Sequence, residues 1–116
     1  MHNYKELNVW KKSVDLAVKV YQETSSFPSD EKYGMTSQIR RCSVSISSNI
    51  AEGSGRSTDK DFNLFLGYSY GSSCELETQL IVSNRVGLLG DDKFKGLNND
   101  IQEIQKMLFS LRNSLK

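Results

Sequence analysis

The sequence predicts an all-α protein, an antiparallel up-down-up-down four-helix bundle, with residues 1–116 forming one domain. Three observations predict it. Four segments space their apolar residues in alternating steps of three and four, the signature of one helix face. No segment alternates convincingly with the period of two that marks a half-buried strand. Pro28 is the only proline, so long stretches are free to be helical, and the short turns between them favour antiparallel neighbours.

Composition sets the class. A chain of 116 residues is long enough to bury about 65–70% of its unfolded surface. Its 37% hydrophobic and 25% charged residues suit a soluble globular protein rather than a disordered one. A net charge of +1 supplies no global pull toward nucleic acid or an anionic membrane. The opening residues MHNYKELNVW lack the apolar core of a signal peptide, and no later run is long enough to span a membrane, so a cytoplasmic protein is expected. There is no internal repeat, low-complexity tract or second domain.

The first helix is expected over residues 4–24, YKELNVWKKSVDLAVKVYQET. Leu7, Trp10, Val14, Ala17 and Tyr21 make its apolar stripe, and Asn3 is the expected N-cap with Glu6 three residues on. Phe27-Pro28-Ser29 ends it. Ser29 is expected to cap the second helix, with Asp30 and Glu31 in the first turn, where the helix dipole favours negative charge.

Met35, Ile39, Cys42, Ile46 and Asn49 or Ile50 continue the stepping to Gly53. Ser43, Ser47 and Ala51 recur every fourth residue, so the serines of RRCSVSISSN read as small packing positions on a helix rather than as loop. Gly53-Ser54-Gly55 breaks the helix. Thr58 through Asp61 resembles a capping box. The third helix carries Phe62, Phe65, Leu66, Ser69, Ser73, Leu76 and Leu80 on one side. Gly67 and Gly71 each cost about 1 kcal/mol relative to alanine, a cost expected to be offset by close approach to the serine ridge. Val86 through Gly90 closes it. Asp91 or Asp92 is the expected cap of the fourth helix, whose Leu97, Ile101, Ile104, Leu108, Leu111 and Leu115 hold a heptad register.

Two stretches carry a resemblance: QIRRCSVSISSNIAEGSGR at 38–56 and KDFNLFLGYSYGSSCELETQL at 60–80. With Leu7 and Trp10, and Phe27-Pro28 followed by Glu31-Lys32-Tyr33-Gly34, they resemble the 23S rRNA-intervening-sequence protein family over nearly the whole chain. The resemblance implies a small bacterial four-helix bundle that often assembles as a ring-shaped homopentamer. Members are encoded within intervening sequences of ribosomal RNA genes or at free-standing loci. A related group, the accessory proteins of diversity-generating retroelements, binds reverse transcriptase and nucleic acid, so RNA, DNA or a nucleic-acid-processing protein is the implied partner.

Among candidate site residues, Arg40 and Arg41 follow core Ile39 at about 100° and about 200° around the helix. They are suited either to phosphate contacts, repeated around a ring, or to an ion pair with Glu75 or Glu77, within a subunit or between subunits. Arg56 and Lys60, with Ser54 and Ser57, flank a helix N-terminus where loose anion binding is reasonable; SGRSTDK lacks the spacing of a phosphate-wrapping loop. Asn49 and Glu52 read as structural: a register-setting asparagine, and a carboxylate within reach of Arg56. Tyr68, Tyr70 and Trp10 can stack on bases, but they interleave with core positions and read first as packing.

No catalytic constellation can be assembled. The serines have no neighbouring base, and the only histidine, His2, sits at an N-terminus expected to be frayed. Cys42 and Cys74 form no CxxC pair and read as reduced core thiols, so no metal or other cofactor is expected.

Overall fold

The computed structural model describes residues 2–116 and carries four helices: α1 (Asn8–Glu23), α2 (Met35–Ser54), α3 (Asp59–Arg85) and α4 (Asp91–Ser114). Short 3-10 turns, Tyr4–Glu6 and Ser29–Glu31, precede α1 and α2. Helices α1 and α3 each lie against both α2 and α4, while the diagonal pairs stay apart. This is the up-down-up-down bundle. Its core runs the length of the molecule through Leu16 and Val20, Ile39, Ile46 and Ile50, Phe62, Leu66, Leu76 and Leu80, and Leu97, Ile101, Ile104 and Leu108.

Helix α1 differs from its expected outline. Asn3 does cap, but its side chain accepts from Lys5 N–H in the 3-10 turn, and α1 starts at Asn8 behind Leu7 with no side-chain cap. Its buried stripe is Val9, Ser13, Leu16, Ala17 and Val20 rather than Leu7, Trp10, Val14 and Tyr21. Two apolar stripes lie side by side on this helix. The stripe without aromatic polar tips goes inside, its one hydroxyl, Ser13, donating to Val9 O at 2.6 Å, whereas Trp10 and Tyr21 keep a polar tip near water. His2 is not frayed: its ring Nε2 lies 2.9 Å from the Asp59 carboxylate, the ring packs on Phe62, and its backbone N–H donates to Ser54 O.

Helix α2 begins at Met35 behind Gly34, because Ser29, Asp30 and Glu31 are taken up by the 3-10 turn instead of a first helical turn. Ile39, Cys42, Ile46 and Ile50 are buried as the stepping predicts, and Ser43 and Ser47 are buried beside them. The close approach to α3 occurs at Gly53, where an added Cβ would fall 2.5 Å from Phe65 Cβ and 3.1 Å from the Phe62 ring. Gly67 and Gly71 do not abut the serine ridge. Gly67 faces the Arg112 guanidinium of α4, and Gly71 opens to free space.

Thr58 caps α3 by accepting from Asp61 N–H at 3.1 Å. At its other end Gly87 takes φ +85°, which lets Leu88 and Leu89 N–H both reach Ser83 O. Neither Asp91 nor Asp92 caps α4: Gly90 holds the cap position, and the Asp91 carboxylate accepts from Asn84 Nδ2 at 2.8 Å. Ion pairs tie α1 to α4, with Lys12 to Glu103 at 3.2 Å and Lys19 to Asp100 at 3.2 Å.

Candidate nucleic-acid interface

The end of the bundle where α1 hands over to α2 holds the cations with the aromatic rings. Phe27 is buried and anchors the connection. The 3-10 turn then delivers Lys32, Tyr33 and Gly34 to the surface just ahead of α2. On the first turns of α2, Arg40 and Arg41 leave in different directions, as 100° per residue requires.

Arg40 turns toward α1. Its Nε donates to Thr24 Oγ1 at 3.0 Å, its Nη2 donates to Tyr21 O at 3.3 Å, and its guanidinium lies 4.6 Å from the Tyr21 ring centre. The side chain therefore satisfies a carbonyl at the C-terminus of α1 and braces the two helices. Arg41 is exposed and turns toward α3. Among the described residues neither arginine forms an ion pair with a carboxylate. The expected partner Glu75 lines the same cleft as Arg41 without pairing with it. Glu77 points to a separate groove between α3 and α4, beside Tyr70 and Phe109.

Two hollows result, sharing a ridge made of Tyr33, Ser37 and Arg41. The first, about 370 Å³, is also lined by Tyr21, Lys32, Thr36 and Arg40. The second, about 390 Å³, runs between α2 and α3 past Gln38, Ser45, Ser72, Glu75 and Gln79. Its floor is a chain of small polar groups. Asn49 Nδ2 donates to Ser45 O at 2.9 Å and to Ser45 Oγ at 3.0 Å, Ser45 Oγ meets Ser72 Oγ at 2.9 Å, and Cys42 Sγ donates to Ser72 O at 3.1 Å. Burial, reinforced by the nearby Glu75 carboxylate, pushes the Cys42 thiol up to about 12. It stays protonated and is a structural donor, not a nucleophile.

Arg56 and Lys60 do not join this cluster. They lie at the far end of α2, about 20 Å away at 1.5 Å per residue. Arg56 pairs with Glu52 at 3.4 Å and covers the Phe65 ring at 4.6 Å, while Lys60 is exposed in the first turn of α3. Of the aromatic candidates, Trp10 packs edge-on against Tyr4, Tyr70 is half-buried, and Tyr68 is exposed. The four expected cations are thus two separate pairs. Lys32, Tyr33 and Tyr21 belong with Arg40 and Arg41 and were not singled out from sequence; the Lys-Tyr-Gly run after the Pro28 turn was the available signal.

Among the described residues no group of histidine, cysteine, aspartate or glutamate side chains is placed to hold a metal ion, and no helix is long and apolar enough to cross a membrane.

The family model for the 23S rRNA-intervening sequence protein matches residues 5–110. The chain belongs to this family. A crystal structure of an S23 ribosomal protein family member from Bacteroides thetaiotaomicron VPI-5482, a protein with unknown function, superimposes with a TM-score of 0.84 at 28% identity, over 90% of this chain and 95% of that one. No curated protein is significantly similar in sequence. The 23S rRNA-intervening sequence proteins are not a known enzyme family, and the matched region takes in α1, α2, α3 and most of α4, so both hollows lie within it.

Proposed function

We propose that this protein is a non-enzymatic, cytoplasmic binding module that assembles as a homopentameric ring and binds RNA or DNA through the Arg40/Arg41 end of each bundle. The observation that carries the reading is the union of three cations, Lys32, Arg40 and Arg41, with the Tyr21 and Tyr33 rings around one hollow. Cations give phosphate affinity and rings give base stacking. Glu31 and Glu75 stand close by, so the local positive surplus is modest, and repetition around a ring is what would make it effective. Exposed apolar side chains at both ends of α3, Leu64 and Tyr68 near its start and Val82 and Val86 at its close, support self-assembly, since they have no partner in the single chain.

A second reading rests on those same exposed side chains: a ring that offers its surface to a nucleic-acid-processing protein, or to another protein partner, and touches no nucleic acid itself. One titration separates the two. Labelled RNA is titrated with the protein at several salt concentrations, using wild type and Lys32→Ala/Arg41→Ala. Arg40 is left intact because its bonds to α1 are structural. Nucleic-acid binding predicts affinity that falls steeply with salt and drops at least about tenfold in the variant while the oligomer persists. Unchanged affinity in the variant, or no retention of wild type at moderate salt, contradicts it. The same samples in light scattering test the pentamer.

A further inference from the structure

We infer that the nucleic acid is taken as a single strand, with a base stacked on Tyr33 and the adjoining phosphates held by Lys32 and Arg41. This rests on the nucleic-acid reading above. Tyr33 is 88% exposed, the most exposed of the large hydrophobic side chains among the described residues. The Lys32 ammonium lies 5.4 Å from its ring centre, and the side chain stands on the ridge between the two hollows. A ring so placed offers a face to an unstacked base. In a duplex the bases are stacked on one another and that face has nothing to meet.

The charge points the same way. Duplex binding by phosphates alone needs an extended basic face, because affinity comes from many released counterions. Around the two hollows the cations are Lys32, Arg40 and Arg41, of which Arg40 is engaged with α1 and Arg41 has Glu75 in the same cleft, so they make no such extended face. A single strand needs fewer cations, since stacking supplies part of the affinity. The second hollow adds a place for a base edge. Gln38, Gln79, Ser45 and Ser72 line it with amides and hydroxyls that both donate and accept, and Glu75 adds an acceptor. Arg41 borders both hollows, so a strand crossing the ridge passes it with phosphate on one side and a base on the other.

Fluorescence anisotropy with an unstructured oligouridine, the matching oligothymidine and a blunt duplex of equal length tests this. Wild type is expected to bind the single strands at least about tenfold more tightly than the duplex. Tyr33→Ala should weaken single-strand binding by about tenfold with little change in salt slope, and Tyr33→Phe should leave it intact. Arg41→Ala should flatten the slope. Equal or tighter duplex binding overturns the inference, as does an unaffected Tyr33→Ala; in both cases loss of binding in Arg41→Ala still upholds the nucleic-acid reading. Binding of none of the three probes overturns both. Dissociation of the oligomer by Tyr33→Ala assigns the ring to a contact between copies and also overturns the inference.

Discussion

Gly53 and Gly71 make opposite demands although both are helical glycines. At Gly53 a methyl group would strike the Cβ of Phe65 and the backbone oxygen of Phe62 at 3.3 Å, neither of which can swing away. Gly53→Ala is expected to lose about 1–3 kcal/mol to overpacking, more than the gain of about 1 kcal/mol in helix propensity. Gly71 meets nothing within 4 Å. Gly71→Ala should therefore stabilise by up to about 1 kcal/mol. Thermal melts of the two variants shifting in opposite directions check the pair. Sequence alone reversed these assignments, marking Gly71 as the contact and Gly53 as a chain break. A glycine carries no side chain to reveal its face, and only the neighbouring helix decides it. Cys42 gives a second test at this scale. Its folded value of about 12 lies above the ordinary 9.0, so the unfolded chain gives up the proton first. Its contribution is full below about pH 9 and is lost as pH rises toward 12. Denaturant midpoints should fall with pH above 9 more steeply in wild type than in Cys42→Ala.

The helices themselves were legible in the sequence because each carries a strong apolar stripe; the boundaries and α1's facing were not. Helices α2, α3 and α4 bury Ile39, Ile46, Leu66, Leu76, Ile101 and Leu108 where the stepping puts them. On α1, Val9, Leu16 and Val20 compete with Leu7, Trp10 and Val14, and periodicity cannot rank two adjacent stripes. Partners across helices are still less readable. Asp100 is approached by both Lys12, at 3.6 Å, and Lys19, at 3.2 Å, and so joins α1 to α4. Burial disfavours charge on Lys12, but the Glu103 and Asp100 carboxylates outweigh it and raise its pKa. Asp100→Asn should cost about 1 kcal/mol, the upper end for such pairs, and the loss should shrink in high salt, as urea melts at two ionic strengths would show. The α2–α3 seam is different, since the Ser69 hydroxyl donates to Ile46 O at 2.8 Å in a buried setting. Ser69→Ala leaves that oxygen its own helical bond and should cost about 1 kcal/mol regardless of salt.

At the scale of the whole molecule, fold class and family were legible while the site was only partly so. Arg40 and Arg41 were picked out by their position after Ile39, and the structure keeps them near each other at one end of α2. Arg56 and Lys60 sit just beyond the opposite end of α2, in the turn and the first turn of α3, a separation that residue counting along α2 already contains. Tyr33 and Lys32 escaped because a turn has no periodicity to read, and Tyr21 because it shares a stripe with core-like residues. The proposed nucleic-acid site is the Arg40/Arg41 end of the bundle. Photo-crosslinking with a thiouridine-bearing single strand, followed by peptide mass mapping, tests it most directly. Crosslinks concentrated on the peptides containing Tyr33 and Tyr21 are the predicted result. Crosslinks confined to the Arg56–Lys60 turn, or spread evenly over the surface, would contradict it.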